Sequence, residues 1–197
     1  MAQQLILVNG IPAAGKTTLS KQLGADLGIP VLSKDVLMES FANATAATVP
    51  SSRLGALASE TMWQLAGMIS GSVIVESFWL KRRDLDYARA GLVIAGNPAF
   101  VEIWCDVVPE LAWDRYQARS RHPIHPADDA LGTRWNEWVE NAEPLALGSV
   151  ITVRTDVPVD LEKLNRQIST HLLGEIPASV ELLNSTPKSA DNLHYVK

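Results

Sequence analysis

A glycine-rich loop between a short apolar run and an amphipathic segment constrains this chain more than any other feature. Residues 5–8 are all apolar, residues 10–17 read GIPAAGKT, and the residues that follow have helical spacing. In the pattern G-x-x-x-x-G-K-[ST], glycines let successive backbone N–H groups turn inward around a polyphosphate. The positive N-terminal end of the next helix faces the same anion. The stretch therefore predicts a strand, a phosphate-binding loop and a helix.

Two side chains of the loop have specific expected roles. Lys16 is placed to reach the β- and γ-phosphates of a nucleotide, and Thr17 to offer its hydroxyl to Mg²⁺. A glycine-rich turn with a solvated lysine is the alternative, but it requires neither the strand before nor the helix after. We expect the nucleotide to be held by Gly10, Ala13, Ala14, Gly15, Lys16, Thr17 and Thr18.

Composition narrows the class of protein. A chain of 197 residues fits one domain, and its net charge of −5 argues against a nucleic-acid duplex as the main partner. No apolar run approaches the roughly 20 residues that span a bilayer, and the N-terminus lacks a cationic leader. These features predict a cytoplasmic protein. The single cysteine, Cys105, excludes an intramolecular disulfide and lies in an apolar run, where we expect it to be buried.

Apolar runs alternate with segments of helical spacing along most of the chain. This alternation predicts a parallel sheet covered by helices on both faces. Residues 42–59 are rich in Ala, Ser and Thr, which favours a loosely packed connection. The predicted strands are 5–8, 31–32, 73–75, 100–105 and 150–153, and the predicted helices include 17–27, 36–41, 54–69, 84–94 and 159–173.

Carboxylates follow two of the predicted strands. Asp35 comes after the second strand and Glu76 ends the third. Because ligands bind at the carboxyl ends of parallel strands, both should face the crevice of the phosphate loop. Asp35 could instead only cap the next helix, and Glu76 could be an ordinary acid at a strand end rather than a metal or metal-water ligand. Phe78 and Trp79 follow, and either line an acceptor pocket or pack at its boundary.

Arginines cluster near the end of the helix that starts at Pro109. Arg115, Arg119 and Arg121 either clamp a phosphate or complement the helix dipole. Arg154 ends the fifth predicted strand.

A non-helical segment follows these arginines. Prolines come directly after both His122 and His125, which excludes a regular helix there. The His-x-x-His spacing raises the question of zinc, but no cysteine is nearby. We therefore interpret the segment as a hinged flap.

The order of these motifs along the chain resembles that of the P-loop small-molecule kinases. The motifs are the phosphate loop, residues 33–35, Glu76, the three arginines before a flap and residues 154–156. The group most similar in order and size contains chloramphenicol phosphotransferase, the zeta-toxin kinases and the kinase domain of polynucleotide kinase. The resemblance spans about residues 3–173. It departs from the family where Lys34 and Val36 flank Asp35, since many relatives have an arginine soon afterwards, and where Glu76 replaces a common aspartate.

The resemblance implies a three-layer α/β/α P-loop NTPase fold with a five-stranded parallel sheet in the order 2-3-1-4-5. It implies a kinase domain over 1–173 with a lid at about 119–140, and a tail or docking arm at 174–197. ATP and Mg²⁺ are the implied cofactors, with Thr17 and Glu76 on the metal side. The implied catalytic residues are Lys16, Asp35 as general base, Arg115 and Arg119, and the further nucleotide contacts are Arg121 and Arg154.

The expected activity is ATP-dependent transfer of the γ-phosphate to a hydroxyl of a small molecule such as an antibiotic, a nucleoside or a sugar, by a monomer or homodimer. Two alternatives stay open. One is a nucleotide-binding switch or NTPase that engages a protein through residues 174–197. The other is a kinase for a larger target, such as a nucleotide sugar or a nucleic-acid end. Asp35 favours a kinase over a switch, because a switch needs no acceptor base.

Overall fold

The computed structural model describes residues 2–125 and 131–174. Within these residues the chain alternates between five strands and seven helices. The strands are β1 (Ala2–Asn9), β2 (Val31–Ser33), β3 (Gly71–Glu76), β4 (Ala99–Asp106) and β5 (Ser149–Arg154). The helices are α1 (Lys16–Leu27), α2 (Lys34–Ala44), α3 (Ser51–Met68), α4 (Lys81–Ile94), α5 (Pro109–Ala118), α6 (Leu131–Glu140) and α7 (Leu161–Gly174).

The strands form one parallel sheet in the order β2-β3-β1-β4-β5. The register places Val8 of β1 beside Glu76 of β3 and Ile103 of β4. The sheet order implied by the resemblance is therefore confirmed. Strand β1 lies at the centre, so the loop that follows it opens at the middle of the sheet edge.

Each face of the sheet is covered by its own set of helices. Ile6 and Val8 of β1 belong to a core that includes buried residues of α1, α5, α6 and α7. Leu5 and Leu7 face the opposite core, which includes buried residues of α3 and α4. Because both faces are buried, β1 is a continuous apolar run rather than an alternating one. This gives the three-layer α/β/α arrangement.

The expectation of a loose connection over 42–59 was wrong. Helix α2 continues to Ala44 and α3 begins at Ser51, which leaves only a short link between them. The small side chains that suggested a loop allow the two helices to approach closely. Ala42 and Ala58 are 1% and 0% exposed, and they pack in a separate small core with Met38 and Leu54. Alanine is also the best helix former.

Two predicted segments lie partly outside the described residues. Of the lid, residues 126–130 are not described, whereas 119–125 and 131–140 are. Of the tail, residues 175–197 lie outside. None of the helices within 2–125 and 131–174 combines the length and apolar character that a bilayer span needs.

Candidate active site

The loop between β1 and α1 has the backbone of an anion cradle. Gly10, Ala13 and Gly15 have φ values of 145°, 61° and 85°, so the chain turns repeatedly through conformations that favour glycine. At Gly10 an added Cβ would lie 2.7 Å from the carbonyl oxygen of Cys105. A side chain there would therefore collide with the β4 backbone, which explains why the loop starts with glycine.

Lys16 is buried at the centre of this loop. Its Nζ donates to the carbonyl oxygens of Gly10 and Ile11, both at 2.9 Å, and the residue is 8% exposed. Burial lowers the pKa of Lys16 and the nearby Arg119 lowers it further, while the negative charges of Glu76 and Asp35 raise it. The ammonium group thus has only two neutral carbonyl acceptors in the described structure, and a phosphate would be a better counter-ion.

Thr17 and Glu76 lie together beside the loop. The Thr17 hydroxyl is 3.4 Å from both carboxylate oxygens of Glu76, and Glu76 is 3% exposed at the end of β3. A hydroxyl and a carboxylate are oxygen ligands that suit Mg²⁺. Within residues 2–125 and 131–174 there is no cluster of three or more His, Cys, Asp or Glu that could hold a metal. This donor set therefore fits Mg²⁺, which is held by few protein groups together with phosphates and water, better than an all-protein metal site.

A cleft of 820 Å³ opens above the loop. Most of the residues predicted for the site line it, and Gly10 and Ala14 lie buried within the loop beneath it. The predicted residues that line the cleft are Ala13, Gly15, Lys16, Thr17, Thr18, Asp35, Glu76, Arg115, Arg119 and Arg121.

The sheet order divides this cleft into two halves around the phosphate loop. The β2–β3 half is formed by residues that follow those strands, including Asp35, Phe78 and Arg83. The β4–β5 half is formed by Arg115 and by residues after β5, namely Thr155, Val157, Pro158, Val159 and Leu161. Asp35 and the cleft-lining residues after β5 therefore lie on opposite sides of Lys16.

Arginines of the α5 region converge on the cleft. Arg115 Nη2 donates to the carbonyl oxygen of Thr155 at 3.2 Å, which ties α5 to the end of β5. Arg119 follows the last residue of α5. The guanidinium of Arg121 stacks 4.6 Å above the ring of Tyr116 and also donates to its hydroxyl. These contacts orient Arg115 and Arg121 more than a solvated helix end would require, and Arg119 lines the same cleft.

Arg154 differs from the other predicted arginines. Its side chain is 68% exposed and pairs with Asp156, with Nε donating to Oδ1 at 3.1 Å. Among the described residues that line the cleft, its neighbour Thr155 is present and Arg154 is not. The structure thus places Arg154 at the rim of the β4–β5 half.

The described residues of the predicted lid contact helix α2. His125 Nε2 lies 2.8 Å from Glu39 Oε1, and His122 Nε2 lies 3.0 Å from Asn43 Oδ1. His125 also lines the cleft. Both imidazoles therefore join the flap to the helix that carries Asp35.

The two aromatic residues after Glu76 have different roles. Phe78 lines the cleft, with Lys16 Nζ and Arg83 Cζ each 5.8 Å from its ring centre and Trp138 packed edge-on at 5.7 Å. Trp79 is 4% exposed and packs against Trp63 in the core. The sequence left these alternatives open for both residues.

Several residues of the site were not predicted. Arg83 and Trp138 line the cleft from α4 and α6, and no local pattern in the sequence marks them. Asn9, directly before the loop, is fully buried, and its Oδ1 accepts from the backbone N–H of Gly10 at 2.8 Å. Its Nδ2 donates to the buried Glu102 at 3.0 Å. The sequence feature that could have identified Glu102 is the presence of a carboxylate within the apolar strand predicted at 100–105.

Comparison with known proteins agrees with this geometry. A family model described as an AAA domain matches residues 5–145. A "putative kinase" from Chloroflexus aurantiacus is 29% identical with a TM-score of 0.72, and the match covers 85% of this chain and 97% of that one. No curated protein matches significantly.

Two more distant structures share the fold. A gluconokinase from Sinorhizobium meliloti is 18% identical with a TM-score of 0.56, covering 87% of this chain and 93% of that one. A shikimate kinase from Aquifex aeolicus is 16% identical with a TM-score of 0.52, covering 86% and 96%. Because the family model covers more than half of the chain, the protein belongs to this AAA domain family.

Proposed function

We propose that this protein is an ATP-dependent kinase that transfers the γ-phosphate of ATP to a hydroxyl group of a small molecule. The observation that carries the proposal is the shared cleft, in which a phosphate loop, a carboxylate and lid arginines line one 820 Å³ space. Phosphoryl transfer needs neutralised phosphate charge, alignment and a base near the acceptor. The cleft contains a candidate group for each need.

The phosphate side of the reaction uses the loop and the β4–β5 half. The inward N–H groups, the N-terminal end of α1 and Lys16 would hold the β- and γ-phosphates. Thr17 and Glu76 would hold Mg²⁺, which supplies further charge neutralisation when bound. Arg115 and Arg119 would stabilise the negative charge of the transferring group, and Arg121 and Arg154 would add nucleotide contacts.

The acceptor side uses Asp35, in the first turn of α2. Within the described residues its carboxylate accepts no hydrogen bond, and the N-cap position of α2 belongs to Ser33. Asp35 is therefore suited to take the proton of an acceptor hydroxyl that points toward Lys16.

The test separates nucleotide binding from transfer. Asp35→Asn keeps the size of the side chain, so we expect ATP affinity by calorimetry to be unchanged, while transfer of labelled phosphate to a panel of hydroxyl compounds falls by about 10²–10⁴-fold. Asp86→Asn, at a position 90% exposed on α4, is the matched control and should behave like the wild type. Full transfer by Asp35→Asn would reject the assignment and direct the search for the base to Glu76.

The proposal extends to the acceptor, the location and the oligomeric state of the enzyme. The acceptor could be an antibiotic, a nucleoside or a sugar, as in the chloramphenicol phosphotransferase and zeta-toxin group, and the enzyme would work in the cytoplasm as a monomer or homodimer. A nucleotide switch acting through a protein partner is the alternative. In that case ATP hydrolysis would not depend on an acceptor, and Asp35→Asn would leave it unchanged.

A further inference from the structure

We infer that the acceptor carries an anionic group, a carboxylate or a phosphate monoester, in addition to the hydroxyl that is phosphorylated. This inference rests on the proposed function, because it assigns a substrate class to the same cleft. The observation behind it is the presence of cationic side chains in the half of the cleft that contains Asp35, in addition to those beside the phosphate loop.

The charge of the cleft is opposite to that of the chain. The chain has a net charge of −5, but seven cationic side chains and two carboxylates, Asp35 and Glu76, line the cleft. The cationic residues are Lys16, Lys34, Arg83, Arg115, Arg119, Arg121 and Arg134. A cleft that concentrates one sign of charge attracts ligands of the other sign.

The nucleotide accounts for only part of this charge. Arg115, Arg119 and Arg121 come from α5 and the residues after it, next to the β4–β5 half, and Lys16 is in the loop itself. Lys34 and Arg83 follow β2 and β3 instead, and Arg134 lies on α6. Lys34 and Arg83 are therefore on the side of the general base, where an acceptor would bind, and Arg134 lines an adjoining cavity together with Arg83.

Arg83 is held in a fixed orientation beside the proposed acceptor position. Its Nε and Nη2 donate to the two carboxylate oxygens of Asp84 at 2.8 and 2.7 Å, and its guanidinium lies over the Phe78 ring. The hydrogen bonds that Arg83 donates to Asp84 raise the pKa of Arg83, so it remains a cation at every pH of interest. A guanidinium has five N–H donors, and this pair uses two, which leaves the outer edge for a ligand.

Arg134 extends the same surface. It lines the main cleft and also an adjoining cavity of 580 Å³, which shares Arg83 and Trp138 with the main cleft. Trp138 packs edge-on against Phe78, and the guanidinium of Arg83 lies over the same Phe78 ring. This half of the cleft thus contains guanidinium groups as well as Asp35, which fits an acceptor that carries both an anionic group and a hydroxyl.

Arginine selects anions over neutral alcohols for a physical reason. A guanidinium binds carboxylate or phosphate through paired, charge-assisted hydrogen bonds, about twice as strong as neutral ones. A hydrogen bond to a charged group contributes about 1.5–3 kcal/mol, or roughly 10- to 100-fold in affinity. A neutral polyol of the same length would replace water at these arginines without that gain.

The experiment compares acceptors matched in carbon skeleton. The carboxylate pairs are glycerate with glycerol and gluconate with glucose, and the phosphate pairs are glycerol 3-phosphate with glycerol and glucose 6-phosphate with glucose. Transfer from γ-labelled ATP should give kcat/KM values about 10-fold or more higher for the anionic member of at least one pair. The two types of pair distinguish the carboxylate from the phosphate source.

Two outcomes would overturn the inference. Preference for the neutral members would reject it while leaving the proposed kinase function intact. Transfer to no anionic member, with ATP bound at normal affinity, would also reject it, whereas loss of ATP binding itself would count against the proposed function. The two failures are therefore distinguishable.

Single substitutions in the cleft then test where the anionic group of the acceptor binds. With the preferred anionic acceptor, Arg83→Gln and Arg134→Gln should each raise its KM by about 10-fold and leave the KM for ATP unchanged. Arg83→Lys, which keeps the charge but not the fork, should give an intermediate KM. Arg89→Gln, on the same helix but 58% exposed and paired with Asp86, is the control and should change neither constant. An unchanged acceptor KM in both glutamine variants would overturn the assignment.

Discussion

The buried carboxylate of Glu102 should be one of the most sensitive positions in the protein. It is 1% exposed on β4 and accepts three hydrogen bonds, from Asn9 Nδ2 at 3.0 Å and from the backbone N–H groups of Leu145 and Ala146, both at 2.9 Å. It thus joins the residue before the phosphate loop to the chain that follows α6.

Glu102→Gln tests this arrangement with little change in volume. A glutamine has one acceptor oxygen, and its NH₂ group would face at least one of the three donors. A buried donor without a partner costs about 1–3 kcal/mol, and the loss of charge assistance adds to this. We therefore expect the free energy of unfolding to fall by about 2–4 kcal/mol, a large part of the roughly 5–15 kcal/mol typical of a domain.

Urea denaturation is the assay, with an unchanged m-value as evidence that the transition is the same. Glu143→Gln is the control, because Glu143 is 57% exposed and its ion pair with Lys81 lies at the surface. It should change the free energy by less than about 0.5 kcal/mol. An equally small change for Glu102→Gln would refute the reasoning.

Glu102→Gln should also affect the phosphate loop. The Asn9 side chain that donates to Glu102 also accepts from the N–H groups of Gly10 and Trp79, at 2.8 and 3.0 Å. If its amide tilts, the first turn of the loop loses a fixed hydrogen bond. ATP affinity of the folded variant should then fall by about 10-fold, which corresponds to one hydrogen bond of about 1.4 kcal/mol.

Three further predictions concern single residues of the site. Lys16→Ala should leave the circular dichroism spectrum unchanged but reduce turnover by about 10³-fold, because several kcal/mol of transition-state stabilisation is lost. Arg119→Ala should lower kcat more than it raises the KM for ATP, and an unchanged kcat in both Arg115→Ala and Arg119→Ala would place these residues outside the chemistry. Burial raises the pKa of the Cys105 thiol from 9.0 to about 12, so at pH 8 a thiol reagent should label Cys105 only on unfolding. The contribution of the buried, protonated thiol to the free energy of unfolding should be complete below pH 9 and should be lost as the pH rises toward 12.

The local parts of the site were predictable from the sequence. The phosphate loop is contiguous, and its chemistry depends on backbone conformations that only certain residues adopt. Asp35 and Glu76 were found because each follows an apolar run, and parallel strands end at one edge of a sheet. The burial of Cys105, at 1% exposure, was likewise predicted from its apolar neighbours.

The β2–β3 half of the cleft could not be predicted in the same way. Arg83 and Trp138 are 55 positions apart in the chain and meet only because α4 and α6 lie on either side of Phe78. Which of Phe78 and Trp79 lines the cleft depends on the direction in which the chain leaves β3, and the neighbouring residues in the sequence do not show that direction. Composition also misled at 42–59, since alanine suits both a loose link and a tight helix contact.

Helix α6 shows why the two halves of the cleft should be considered together. Trp135 and Trp138 are three positions apart, so they lie on neighbouring parts of one helical face. Trp135 packs at 5.0 Å from Trp113 and 5.7 Å from Tyr116, on the side of α5, whereas Trp138 packs against Phe78 on the side of β3. One short helix therefore contacts the walls of both halves, so a shift of α6 toward the β4–β5 half would also move the wall of the β2–β3 half.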